Sequence, residues 1–357
     1  MPSRTEALRR YLALAGAVRR ARRAPFDPFK LTWIVTEACS LRCRTCHLWV
    51  GAPHPGPDLA TCERLLAANA HLTWLNLSGG DVVERPDAPA LMAAVARQLP
   101  DLALLDSDIP RVYVTVSIDG PDHVHDRVRG ARGAAAAARR TFERLLRIRR
   151  RGFTAVVGMT LSRHNLGAGG PAAAPPSDAV ALEALLPAGI APRDLHLNLA
   201  HHSGHYYRNA EDVAPPPDTA LALLAHVRAR RGLRLSPLDL IERRYWAHAR
   251  RFLREGDPGP DCGALRASVF VGADLTVYPC SIFDRPLGNL ADVGLELRRL
   301  PELPEAAVAL GLVEQRACPR CWSPCEAFPT LLLGLAGAGG ARRHGVAAAP
   351  RAGSPAR

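Results

Sequence analysis

The sequence predicts an α/β fold built on a parallel sheet, followed by a smaller cysteine-rich unit. Three observations lead there. Short apolar runs alternate with amphipathic helical stretches between Leu31 and Leu199, and alternation of this kind places parallel strands inside and helices outside. Three cysteines, Cys39, Cys43 and Cys46, follow directly after the first apolar run. Five of the other six cysteines, Cys262, Cys280, Cys318, Cys321 and Cys325, fall within residues 255–332.

In chain order, residues 5–23 read as a basic amphipathic helix with Leu8, Tyr11, Leu12, Ala15 and Val18 on one face, packed as a cap. Strand 31–36 leads to the cysteine loop, and a helix starts near Asp58. Strand 72–77 precedes Ser78-Gly79-Gly80-Asp81, and a helix covers 87–99. Strand 111–118 precedes Asp119-Gly120, and a helix covers 134–151. Strand 153–161 runs into a Gly/Pro/Ala stretch at 166–176, read as a flexible loop. A helix near 177–186 and strand 194–199 close the series. The expected division is a helix at 1–29, the main unit at 30–215, a helical linker at 216–254, the cysteine-rich unit at 255–332 and a disordered Ala/Gly/Arg/Pro tail at 333–357.

A chain of 357 residues has room for two cores. No apolar run approaches the roughly 20 residues that cross a bilayer, and arginines break up the N-terminal stretch, so a cytoplasmic location is expected. There, nine cysteines suggest metal ligands over disulfides. The formal charge of +12 argues only weakly for a nucleic-acid partner, because Lys30 is the single lysine and the arginines are scattered.

The spacing Cys39-x3-Cys43-x2-Cys46 supplies three thiolates where a structural metal site is closed by four ligands. A four-iron cluster on three thiolates keeps one iron open. Zinc with a fourth ligand such as His47 is the alternative at this point. Downstream, Cys262-x17-Cys280 and Cys318-x2-Cys321-x3-Cys325 offer five thiols for a closed cluster or a zinc ribbon-like site. Cys62, at a helix start, reads as a small buried apolar residue.

Thr36-Glu-Ala-Cys-Ser-Leu-Arg-Cys-Arg-Thr-Cys-His-Leu-Trp49 resembles the cluster loop of the radical S-adenosylmethionine (radical SAM) superfamily. The resemblance extends through Ser78–Asp81 and Ser117–Gly130 to the C-terminal cysteines, which are similar to a Twitch or SPASM auxiliary-cluster domain. It implies a partial (β/α) barrel and a [4Fe–4S] cluster on Cys39, Cys43 and Cys46 whose open iron chelates S-adenosylmethionine. It also implies an auxiliary [4Fe–4S] cluster on Cys262, Cys280, Cys318 and Cys321, with Cys325 as the alternative in the last pair. Ser78, Gly79, Gly80 and Asp81 match the stretch that holds the methionyl amino group, although Asp81 and Val82 stand where the family has Glu and Pro. Ser117, Arg129 and, with Thr160, Asn165 match cofactor-side positions.

The implied activity is reductive cleavage of S-adenosylmethionine to a 5′-deoxyadenosyl radical that takes hydrogen from a substrate, with electrons from a flavodoxin- or ferredoxin-like donor. His201, His202, His205 and Tyr206 follow the last strand and are the candidates for proton transfer or substrate contact. Only about 30 residues precede the first strand, which favours a small-molecule or natural-product substrate. A peptide-modifying maturase with a separate leader-binding partner is the alternative, and a non-catalytic or zinc-stabilised binding protein is another. The stretch 100–110 is too short for a strand and a helix. One barrel unit is therefore expected to be missing, with strands 72–77 and 111–118 as direct neighbours.

Overall fold

The computed structural model describes residues 4–99, 112–149, 153–167, 178–209, 211–232 and 237–335. Its strands are β1 (Lys30–Thr36), β2 (Trp74–Gly79), β3 (Val112–Ser117), β4 (Phe153–Leu161), β5 (Leu195–Leu199), β6 (Ser268–Val271), β7 (Thr276–Tyr278) and β8 (Gly288–Asn289). The helices are α1 (Arg4–Arg23), α2 (Leu59–Ala68), α3 (Ala88–Gln98), α4 (Asp122–Arg129), α5 (Ala134–Leu146), α6 (Arg163–Leu166), α7 (Ala179–Glu183), α8 (Pro217–Arg231), α9 (Pro237–Glu255), α10 (Ala306–Glu314) and α11 (Pro324–Leu335).

Two sheets form an open, partial barrel. One has the order β2-β1-β6-β7-β8, and the other β3-β4-β5. All pairings among β1 to β6 are parallel, and β7 and β8 add antiparallel. β1 is buried along its whole length, as expected for a strand covered on both faces. Leu31, Trp33 and Val35 pack outward on Leu65 and Leu66 of α2 and Leu91 and Val95 of α3. Strand alternation turns Lys30, Thr32 and Ile34 to the other face. A second core joins α1, β4, β5, α5, α8, α9 and α11 through Val157, Met159, Leu197, Leu223 and Trp246.

Two expectations are corrected. β2 and β3 are not neighbours: each ends its own sheet among the described residues. The apolar face of α3 is taken up by α2 and the outer face of β1. Residues 100–110, like the 166–176 loop beyond Gly167 and the tail from 336, lie outside the described residues. The buried face of α1 is Leu14, Ala17, Val18 and Ala21, while Leu12 is 63% exposed. Of the predicted stripe's Tyr11, Leu12, Ala15 and Val18, the helix buries only Val18, so it is rotated from that stripe. In the cysteine-rich region, strands β6, β7 and β8 continue the sheet of β1 and β2. The region's first strand, β6, pairs in register with β1 (Lys30 with Ser268 through Trp33 with Val271) and extends the barrel sheet.

This shared sheet explains the buried lysine. Lys30 Nζ donates to the carbonyl of Cys325 on α11, lies 5.3 Å from the Trp74 ring and attracts buried Glu326. A buried ammonium is tolerated only with such partners, and here they tie the barrel to the C-terminal region.

Candidate active site

The cysteine loop leaves the C-terminal end of β1, where barrel enzymes gather their chemistry. Its backbone is held from three sides. Arg42 and Arg44 N–H, on either side of Cys43, donate to the carbonyls of Arg129 (3.1 Å) and Val128 (2.8 Å) at the end of α4. Gly130 then turns away at φ +65°, and a Cβ there would stand 2.4 Å from the Arg42 carbonyl oxygen. Trp49 Nε1 donates to the carbonyls of Cys43 (3.2 Å) and Cys46 (2.8 Å), drawing the loop into a coil. Gly80 and Asp81 N–H donate to Thr36 and Ala38 carbonyls at 2.9 and 2.8 Å.

Ser78–Asp81 therefore meets the stem of the cysteine loop. A Cβ on Gly79 would lie 2.0 Å from Thr36 O, and one on Gly80 2.1 Å from Ala38 O, so only glycine permits the approach. Asp81 caps a short 3-10 turn by accepting from Val83 N–H. Ser78 Oγ and Tyr206 Oη share a 2.6 Å hydrogen bond.

Arg129 reaches Cys43 Sγ with Nη1 at 3.8 Å and Asp119 Oδ2 at 2.7 Å. Asn165 is buried and donates to the carbonyls of Asp119 (3.0 Å) and Thr160 (2.8 Å) while closing a capping box with Ser162. That gives it a scaffolding role at the ends of β3 and β4. Ser117, the last residue of β3, shares that end of the sheet.

The histidine-rich segment after β5 is a strap between the two cysteine groups. On one side, His47 N–H donates to the Tyr207 carbonyl at 2.6 Å, Asn209 Nδ2 donates to the Thr45 carbonyl at 3.1 Å, and Arg208 pairs with buried Glu37. On the other side, Ser203 Oγ donates to the Ser281 carbonyl at 2.8 Å and His205 Nε2 bonds the Cys280 carbonyl at 2.9 Å. His201 Nε2 accepts from Trp322 N–H at 3.3 Å. Burial pushes His201 and His205 down to about 4, so both are neutral. His205 stacks on Tyr278 at 4.0 Å between ring centres. His202 is exposed. Burial raises Tyr206 and Tyr207 above the ordinary phenol range, with the Cys46 and Cys325 thiols adding to the effect. Tyr206 is thus the member of the predicted quartet beside the cysteine loop.

In the C-terminal group, Cys262, Cys280, Cys318 and Cys321 line one cavity of about 60 Å³, with Glu326 in its wall. Two backbone N–H groups, of Ile282 (3.4 Å) and Phe283 (3.2 Å), point at Cys280 Sγ. Cys325 is not in that wall. Its sulfur accepts from Asn76 Nδ2 on β2 at 3.8 Å.

Both donor sets suit iron–sulfur clusters. All nine cysteines are free thiols. Burial pushes Cys46 up to about 11 and Cys262 up to about 12, and raises Cys43, Cys280 and Cys321. Buried thiols of this kind ionise when bound cations compensate them. Among the described residues no three metal-binding side chains converge on one ion. In a cubane each thiolate binds its own iron. N–H groups aimed at Cys43 and Cys280 supply the hydrogen bonds to sulfur found around such clusters.

No family model matches the chain. Among known proteins it is 32% identical over 159 residues to the mycofactocin maturase MftC of Mycobacterium ulcerans, covering 39% of this chain and 42% of that one. It is 24% identical over 296 residues to the sporulation killing factor maturation protein SkfB of Bacillus subtilis, covering 76% and 66%. This chain is similar in sequence to both of these maturation proteins. It spans 42% and 66% of the lengths of these two relatives. Among solved structures, anSMEcpe with bound AdoMet and the Cp18Cys peptide aligns over 87% of this chain and 97% of its own at a TM-score of 0.49 and 12% identity. SuiB of Streptococcus suis bound to S-adenosylmethionine aligns over 75% and 66% at 0.43 and 12%. No helix among the described residues is long and apolar enough to cross a membrane.

Proposed function

We propose that this protein is a radical SAM enzyme that modifies a peptide. The observation that carries the reading is the pairing of a three-thiol loop with a four-thiol cavity, joined by the strap from His201 to Asn209. Cys39, Cys43 and Cys46 are the ligands of an open cluster, and Cys262, Cys280, Cys318 and Cys321 those of a closed one. With such a cluster and S-adenosylmethionine in place, the cysteine loop would supply radical chemistry capable of removing hydrogen from an unactivated C–H bond.

The chain's own part is to hold and shield. Trp49, Arg129 and the Gly79-Gly80 backbone fix the loop. Ser78 and Tyr206 close the wall beside it, with Tyr206 held in its neutral, hydrogen-bonding form by burial. Cys325 and Asn76 present a thiol and an amide on the barrel side, where a substrate side chain would lie. A peptide substrate is preferred over the small molecule expected from the short N-terminal region, because the two sequence relatives are named as a maturase and a maturation protein. The electron donor is a ferredoxin- or flavodoxin-type protein, and the formal charge of +12 suits the acidic surface common to such carriers.

The test is anaerobic: reconstituted protein, dithionite and S-adenosylmethionine, with 5′-deoxyadenosine measured with and without a candidate precursor peptide. Stimulation by the peptide together with a change in its mass is the expected result. Iron bound without cofactor cleavage would assign the chain to non-catalytic relatives.

A further inference from the structure

Arg129 ends α4 beside one loop sulfur, and its neighbours keep it there. Nη1 donates to Cys43 Sγ at 3.8 Å, while Nε and Nη2 both reach Asp119 Oδ2 at 2.7 Å. Asp119 is immobilised in turn. Its Oδ1 accepts from Thr160 N–H at 3.1 Å, its N–H donates to His125 Nδ1 at 3.0 Å, and its carbonyl accepts from Asn165 at 3.0 Å. Burial lowers the His125 pKa, so that ring adds no competing cation. The Arg129 carbonyl is also the acceptor for Arg42 N–H, so the guanidinium and the loop backbone share one anchor.

At Cys43 the guanidinium is the group that donates to the sulfur, at 3.8 Å, while Asp119 pairs with Nε and Nη2 as its buried counter-ion. A cation that donates N–H to a thiolate stabilises negative charge on the sulfur. In an iron–sulfur cluster the reduced state is the more negative one, and hydrogen bonds to sulfur and local charge are among the levers that set its potential. Poor solvent access keeps such an interaction strong.

We infer that Arg129 is a positioning residue that raises the reduction potential of the cluster on Cys39, Cys43 and Cys46, acting through the Cys43 sulfur with Asp119 as its counter-charge. The inference rests on the ligand assignment proposed above and goes beyond it. A ligand set determines that a cluster binds; Arg129 governs how readily it accepts the electron that starts the reaction.

The experiment is an EPR-monitored redox titration of the anaerobically reconstituted full chain, as wild type, Arg129→Gln, Arg129→Lys and Asp119→Asn. In Arg129→Gln the ratio of reduced to oxidised loop cluster at a fixed potential falls about tenfold, a downward shift of about 59 mV for one electron. Arg129→Lys recovers most of it. Asp119→Asn, which leaves the guanidinium unopposed, shifts the loop cluster upward. The auxiliary cluster keeps its midpoint in all three and serves as the internal reference. An unshifted midpoint in Arg129→Gln with iron retained overturns the inference, as does an equal shift of both clusters. If Arg129→Gln loses its loop iron, Asp119→Asn decides, and a midpoint at or below wild type overturns the idea. Wild-type protein whose loop binds no iron refutes the ligand assignment itself, a separate failure read from the iron count.

Discussion

Cys39, Cys43 and Cys46 lie within eight consecutive residues, whereas Cys262, Cys280, Cys318 and Cys321 come together from three separate stretches of chain. The first set is held by backbone contacts: α4 carbonyls, Gly80 and Asp81 amides and the Trp49 indole all bond the loop's main chain. The second set is held by tertiary packing, with β6 and β7 presenting Cys280 and the turn before α11 presenting Cys318 and Cys321. A loop that leaves one coordination position free has no fourth protein ligand to fix its shape, so its neighbours must do so. A site with four protein ligands can take its final geometry from the metal group itself. The difference in construction follows from the difference in ligand number.

The strongest way to break the comparison is to remove one set and read the other. Replacing Cys39, Cys43 and Cys46 together by Ala is expected to abolish 5′-deoxyadenosine formation while leaving about four irons bound. Cleavage that survives would refute the assignment of the loop. Within the second set, Cys280→Ala or Cys318→Ala is expected to lose about four irons, whereas Cys325→Ala keeps about eight. Iron analysis beside visible spectra makes the distinction, and equal losses in all three would return Cys325 to the cluster.

A smaller effect tests how the loop is shaped. Gly80→Ala places a methyl 2.1 Å from the Ala38 carbonyl oxygen, where backbone has to move. A loss of about 1–3 kcal/mol is expected, together with weaker iron retention at the loop than at the four-thiol cavity. Urea unfolding with iron analysis of both sites measures it, and unchanged stability would show that the stem tolerates displacement.

The smallest effect concerns the strap. His201 is neutral in the fold, with its pKa near 4 against an ordinary 6.5. The unfolded chain therefore takes up its proton first as pH falls. The stability this histidine contributes is complete above pH 6.5 and is lost as pH drops toward about 4. His201→Gln is expected to flatten that part of the stability curve by on the order of 2 kcal/mol. A curve parallel to wild type would mean that Trp322 does not depend on the ring.

The parts of the molecule legible in the sequence are those decided locally. β4 occupies Phe153–Leu161 as its apolar run predicts, and Asp58 caps α2 by accepting from Thr61 N–H at 2.7 Å. The cysteine loop announces itself by spacing alone. What escaped sequence reasoning depends on partners distant in the chain. Nothing in Ser268–Val271 signals that it pairs with β1, or that Lys30 is consequently buried against Cys325 and Trp74. The polar character of His201–Tyr206 was visible, but its use as a strap requires Trp322, Cys280 and Thr45 to be brought beside it. Trp49, Asn209 and Arg208 were missed because their contacts on the loop run to backbone and to Glu37. The lone buried lysine in a chain so rich in arginine was the available signal for an unusual interior.

One open cluster and one closed cluster are expected in the same chain. Titrating reduced, reconstituted protein with S-adenosylmethionine while recording its EPR spectrum tests this. The prediction is two cluster signals, of which one changes on cofactor binding and disappears in the Cys39/Cys43/Cys46→Ala variant, while the other is unaffected by both. A preparation that binds zinc tightly and shows no cluster signal, or one in which neither signal responds to the cofactor, would contradict it.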